Sequence, residues 1–158
     1  MEMLGFTLAI LGMASVIALG GIGSSIGVGL AGQMAAGVIT EEPQKFGKLI
    51  PFIGLPGTQG FYSLLIGFLV MMRLQFFTEP ITTVSTGVGL QIFFICLPIG
   101  LVEMVSAIYQ GKAAAAAIGI VAKKEEETGK AIIVPAFVEI YGVLGLVSAF
   151  ILLGGVKV

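Results

Sequence analysis

The stretch AIIVPAFVEIYGVLGLVSAFILL (131–153) is a continuous apolar run that carries one carboxylate, Glu139, with no other charged residue between Lys130 and Lys157. At 23 residues it exceeds the roughly 20 that cross a bilayer as a helix. A charged side chain at the centre of a membrane costs roughly 2.5–3.5 kcal/mol even on insertion scales, so such a residue usually marks an ion or proton pathway. The alternative is a permanently protonated acid hydrogen-bonded to a neighbouring helix.

Working outward, three further apolar stretches precede this one, separated by TEEPQKFG (40–47), TEPITT (78–83) and KKEEETG (123–129). The sequence therefore predicts four transmembrane helices, and the first (about 4–39) and third (about 84–122) are long enough to project into water at 1.5 Å per residue. Composition agrees: 57% of the 158 residues are hydrophobic, 11% are charged, and the mean hydropathy is +1.10. A soluble globule has about 25% charged residues. His, Trp, Asp and Asn are absent, which excludes Ser/His/Asp catalysis and His-ligated zinc within the chain. The lone Cys96 sits in an apolar run and reads as a small hydrophobe. No basic leader precedes the first apolar stretch, which reads as a membrane helix and not a cleaved signal. Lys45, Lys48, Lys123, Lys124 and Lys130 gather at the first and third breaks, whereas Arg73 and Lys157 mark the other side. The positive-inside rule then makes loops 40–47 and 123–129 cytoplasmic and puts both termini on the opposite side.

The chain also repeats. GVGLAGQMAAGVITEEPQKFGK (27–48) aligns at an offset of 82 with YQGKAAAAAIGIVAKKEEETGK (109–130), and after a two-residue gap Glu139 falls opposite Gln59. This predicts a duplicated helical hairpin, 1–80 and 81–158, both halves running the same way, with only the second keeping a carboxylate. Gly23, Gly27, Ala31 and Ala35, matched by Ala107, Gly111, Ala115 and Gly119, predict a close seam between helices one and three. GVGLAG (27–32) satisfies a dinucleotide fingerprint, but it lies inside an apolar helix with no preceding strand, so neither nucleotide nor nucleic acid is indicated.

Counted from the loop lysines, Gln59, Gln110 and Glu139 lie within about 6 Å of one depth. Thr58 adjoins Gln59, and LPGTQG (55–60) breaks the helix there, because Pro56 lacks an amide hydrogen and frees backbone carbonyls. Carbonyl, hydroxyl, two amide oxygens and one carboxylate form a hard-cation set. A single carboxylate balances a monovalent ion, which makes Na⁺ the best fit and H⁺ the alternative.

At these residues the sequence resembles a known family: LPGTQGFY (55–62), QGKAAAA (110–116) and VEIYGVLG (138–145) look like the rotor-ring proteolipid, subunit K, of bacterial sodium-translocating V-type ATPases. The resemblance covers the whole chain. It implies an all-α membrane protein whose identical copies close into a ring, with Leu55 offering its carbonyl, Thr58, Gln59, Gln110 and Glu139 their side-chain oxygens, and Tyr62 a hydroxyl that steadies Glu139. It also implies a non-catalytic subunit of an ion-translocating complex, a stator membrane subunit with an essential Arg, central-stalk subunits at the cytoplasmic loops, and lipid around the ring. A stand-alone channel would need a polar stripe along a whole helix, whereas the polar residues here cluster at one depth. Glu103 and Arg73 fall outside the resemblance. Helix rise places them within reach of one another, which suggests a structural ion pair or a snorkelling Arg beside a protonated Glu, or alternatively a place on the ion's exit path.

Overall fold

The computed structural model describes residues 2–77 and 84–157, and every regular element among them is helical. The elements are α1 (Glu2–Glu41), α2 (Phe46–Gly54), α3 (Thr58–Arg73), α4 (Thr86–Lys123), α5 (Thr128–Ala131) and α6 (Ile133–Gly155), with 3₁₀ turns at Pro43–Lys45, Leu55–Gly57 and Glu125–Glu127. They make four apolar spans long enough to cross a membrane, Met3–Glu41, Pro43–Arg73, Thr86–Lys123 and Glu125–Gly155. The chain is a multi-pass membrane protein. At 40 and 38 residues, α1 and α4 reach about 60 Å, twice the hydrocarbon thickness, as expected. The expected break at 78–83, and with it the hairpin boundary at 80/81, lies outside the described residues.

The two other breaks are shorter than the sequence suggests. Thr40 and Glu41 stay in α1, α4 runs through Lys123, and each turn is a single 3₁₀ step whose positions, 43–45 and 125–127, differ by 82. Charged helix formers beyond the membrane edge have no reason to leave the helix. Lys45 is buried in the turn, where its Nζ donates to the Ala122 carbonyl at the end of α4 (2.7 Å) and to Glu42 (2.6 Å). A cation on orphan carbonyls complements the helix dipole. Lys48 pairs with Glu125 across the two loops, and that ammonium holds the Glu125 carboxyl below the usual carboxylate range.

The α1–α4 seam is built from missing side chains. A Cβ on Gly27 would lie 2.4 Å from the Ala107 carbonyl, one on Gly111 2.4 Å from the Gly27 Cα, and one on Gly23 2.5 Å from the Met104 Cα. Backbones approach this closely only without Cβ atoms, which is how helices associate in lipid. On α1 the expected stripe Gly23, Gly27, Ala31, Ala35 is buried throughout. On α4 the expectation fails beyond Gly111: the buried positions are Ala114, Ala117, Ile118 and Val121, while Ala115 and Gly119 are half-buried. Strict four-residue spacing drifts about 40° per step around a 3.6-residue helix, so a long seam must alternate threes and fours.

Two apolar clusters fill the bundle. One, toward the loops, contains Ala31, Leu49, Phe52, Ala114, Ile118 and Ala131; the other, toward the far end, contains Val16, Ile66, Val70, Cys96, Ile99 and Leu153. Between them lies a buried polar layer of Gln59, Ser63, Glu103, Ser106 and Gln110. Outside, large apolar side chains face away from the bundle, among them Phe61, Phe137 and Ile151.

Candidate cation site at Glu139

Pro56 decides the local backbone. It cannot continue the hydrogen-bond ladder, so the second span tightens into the 3₁₀ turn Leu55–Gly57 before α3 starts at Thr58. Pro56 itself is buried, with its Cβ 2.8 Å from where a Gly27 Cβ would stand, so the seam glycine also makes room for the break. The turn points the Leu55 carbonyl, Thr58 and Gln59 at α6, where Glu139 is half-buried.

Thr58, Gln59 and Gln110 meet Glu139 there, and Leu55 joins them through Thr58. Glu139 Oε2 accepts from Gln110 Nε2 (2.6 Å), from Thr58 Oγ1 (2.8 Å) and, at the limit, from Gln59 Nε2 (3.5 Å). Glu139 Oε1 accepts from the Tyr62 hydroxyl (2.5 Å). Gln59 and Gln110 are fully buried and joined to each other, Gln59 Nε2 donating to Gln110 Oε1 (2.8 Å). The Leu55 carbonyl is not bare, as the sequence suggested: it accepts from the Thr58 backbone N–H, closing the 3₁₀ turn, and lies 2.8 Å from Thr58 Oγ1. The amides also face differently from expectation, since Gln110 turns its nitrogen to Glu139 and to the Pro135 carbonyl (3.1 Å). Half a turn of either amide exchanges nitrogen for oxygen.

The donor count tests whether a cation fits. Thr58 Oγ1 has one proton, yet three acceptor oxygens crowd it: Leu55 O at 2.8 Å, Glu139 Oε2 at 2.8 Å and Gln59 Oε1 at 3.3 Å. One hydroxyl hydrogen serves one of these at a time. A cation bonded to several of these oxygens at once would replace the shared hydroxyl hydrogen, and with both amides turned to present oxygen the set suits a hard ion.

Sequence reasoning missed the ring of second partners. Ser106 Oγ accepts from Gln59 Nε2 (3.3 Å) and donates to the Val138 carbonyl (3.2 Å), and Ser24 Oγ accepts from the Gly60 N–H (2.8 Å), tying α3 to α1. Ser106 was visible as the residue one turn before Gln110 on its face. Of the alternatives the sequence offers for Glu103 and Arg73, the ion pair does not form. Arg73 instead donates to the Val156 (3.1 Å) and Gly154 (3.4 Å) carbonyls. The unpaired carbonyls at the end of α6 are a nearer sink for a guanidinium.

The chain is similar to known proteins over most of its length. The family of ATP synthase C-subunits matches the chain twice, at residues 11–70 and 93–152. The chain is 43% identical over 148 residues to the V-type sodium ATPase subunit K of Enterococcus hirae, an alignment covering 94% of this chain and 91% of that protein. It is 38% identical over 149 residues to the A-type ATP synthase subunit K of Methanocaldococcus jannaschii, covering 94% of this chain and 63% of the archaeal one.

Proposed function

The chain belongs to the family of ATP synthase C-subunits and is a non-catalytic rotor proteolipid of a rotary ATPase; from that premise we propose that its cargo is Na⁺, carried at mid-membrane on Glu139. The observation that supports this most is the crowding of three acceptor oxygens around the single Thr58 hydroxyl, with Gln110 and the Glu139 carboxylate adjoining. In this reading Leu55, Thr58, Gln59, Gln110 and Glu139 bind the ion, and Tyr62 holds Glu139 without binding it. The Enterococcus relative, by name part of a sodium ATPase, points to the same ion. A proton would need only Glu139 and one or two partners, fewer than the hydroxyl, amides and carbonyl gathered beside it.

The mechanism follows from charge. With Na⁺ bound, carboxylate and cation cancel, and the site can move past lipid as the ring of identical copies turns. Emptied, Glu139 is a lone charge in an apolar medium, so release needs a compensating cation, supplied by an Arg of the stator. Each Na⁺ moved against 100 mV costs about 2.3 kcal/mol, provided by ATP hydrolysis elsewhere in the complex. One carboxylate per duplicated hairpin (1–80 and 81–158) gives fewer ions per turn than a ring of two-helix subunits with equal helix count. That low ratio favours pumping. Loops 40–47 and 123–129 face the cytoplasm in this arrangement and meet the central stalk, with the termini opposite. Uptake of ²²Na⁺ by the purified protein tests the proposal: saturable binding of one ion per chain supports it, and no uptake at any Na⁺ concentration at neutral or alkaline pH refutes it.

A further inference from the structure

Glu103 has no part in the site just described, yet it is one of the most buried side chains in the protein, with zero exposure, and neither carboxyl oxygen has a hydrogen-bond partner. Its surroundings are specific. On α6, a Cβ at Gly145 would stand 2.6 Å from Glu103 Oε1, and one at Gly142 3.2 Å from Oε2. Two glycines one turn apart thus leave a notch that the carboxyl fills. The same Gly142 position adjoins Gln59, at 2.9 Å from its Cγ, so the notch begins where the cation site ends. At its other end Gly145 lines an open groove of about 240 Å³ between α4 and α6, together with Pro98, Val102, Leu144 and Ser148. Glu103 stands between the two.

What occupies this carboxyl follows from space and charge. From α6 the titratable groups are Glu139, which repels a second negative charge, and Tyr141, an exposed phenol that lines the groove and brings no positive charge; from α3 it is Tyr62, whose hydroxyl is engaged with Glu139, while Arg73 is held by the end of α6. On α4 itself Lys112 and Tyr109 are exposed and stack on each other (4.6 Å), away from the buried face, and α1 carries no charged residue between Glu2 and Glu41. No ammonium or guanidinium among the described residues reaches Glu103, and no group of metal-ligating side chains gathers around it among them. A bare carboxylate there would be an uncompensated buried charge.

We propose that Glu103 is a second ion site of the chain, one that takes a proton and keeps it, and that the resulting neutral acid is the plug that separates the Glu139 site from the α4–α6 groove. Cargo then cannot pass Glu103 to reach the groove at Gly145. The occupant proposal stands on the geometry alone; the plugging role rests on the cation reading of Glu139.

Glu103→Gln keeps the shape and neutrality of the acid, whereas Glu103→Ala opens the notch. Infrared spectra of purified protein at pH about 6 to 7, where an ordinary carboxyl is ionised, should contain a protonated-carboxyl stretch that persists in saturating Na⁺ and is missing in Glu103→Gln, a readout independent of sodium binding. Release of ²²Na⁺ should proceed at the parental rate in Glu103→Gln and at least about tenfold faster in Glu103→Ala, as expected for loss of a well-packed barrier. Were Glu103 charged, its removal in Glu103→Gln would weaken Na⁺ binding severalfold or more, because a negative charge beside the site attracts the cation. That weakening, or absence of the carboxyl band in the parent, overturns the proton assignment. Unchanged release from Glu103→Ala overturns the plug. If the parent binds no ²²Na⁺, the cation reading falls while the infrared result still decides the occupant.

Discussion

Replacing Gln110 with Ala should weaken Na⁺ binding without dismantling the protein. The side chain is fully buried and makes three contacts in the site: Nε2 to Glu139 Oε2 at 2.6 Å, Nε2 to the Pro135 carbonyl at 3.1 Å, and Oε1 to Gln59 Nε2 at 2.8 Å. Truncation removes an oxygen from the cation's set, takes the shortest hydrogen bond from Glu139 Oε2, and leaves Gln59 Nε2 with only its longer contacts to Ser106 (3.3 Å) and Glu139 (3.5 Å). A lost contact to a charged group is worth about 1.5–3 kcal/mol. Taking about 2 kcal/mol, Na⁺ affinity falls roughly 30-fold. Assembly should survive, because the α1–α4 seam uses Ala107, Gly111 and Ala114 on the neighbouring face of α4. Gln91→Ala, an exposed amide on the same helix, is the control and should bind like the parent. Titration calorimetry with NaCl on purified protein measures both. An affinity for Gln110→Ala within about threefold of the parent, less than one lost hydrogen bond would cause, refutes the ligand assignment.

Tyr62→Phe removes the 2.5 Å hydroxyl contact to Glu139 Oε1 but no ligand, so Na⁺ should still saturate the site at about tenfold lower affinity, whereas abolished binding would make Tyr62 a ligand. Gly27→Val places a Cβ 2.4 Å from the Ala107 carbonyl, and native mass spectrometry should show loss of the closed ring or a lowered melting temperature; an intact ring of parental stability would contradict the seam. Lys48→Ala tests the loop pair. Because Lys48 depresses the Glu125 carboxyl, the contribution of the pair is in force above the ordinary Glu value of about 4.3 and fades as pH falls through the lower folded value. Melting curves of Lys48→Ala and the parent should therefore differ slightly at neutral pH and converge in acid, and a difference that grows in acid would reverse the assigned sign.

Spans and site were legible for different reasons. An apolar run interrupted by one acid announces both a membrane helix and its function, and the fixed helical rise placed Gln59, Gln110 and Glu139 at a common depth before any contact was known. Thr58 and Leu55 came with Pro56, whose missing amide makes a break predictable. Facing directions were less legible. The α4 stripe strayed after Gly111 because sequence spacing was read in strict fours, and the orientation of the Gln110 amide is set by two acceptors, Glu139 and the Pro135 carbonyl, that together take both hydrogens of its nitrogen. Arg73 took backbone carbonyls at a helix end in place of the acid that helix rise offered, and Lys45 took one in addition to Glu42. Such carbonyls carry no signature in the side-chain sequence. Lys112, two residues past Gln110 in an alanine-rich run, packs over the Tyr109 ring, a placement that nothing in the run announces.

The most direct test of Na⁺ carriage is labelling of Glu139 by a hydrophobic carbodiimide, which reacts with a protonated carboxyl in an apolar setting and not with a metal-bound carboxylate. Na⁺ binds only the deprotonated form, so proton and ion compete for Glu139. Peptide mass spectrometry should find Glu139 labelled in the absence of Na⁺ and protected by it, with less Na⁺ needed as pH rises and K⁺ protecting poorly, while labelling of Glu103 does not respond to Na⁺. Labelling of Glu139 that is indifferent to Na⁺ at every pH would contradict the sodium site and leave the proton as cargo.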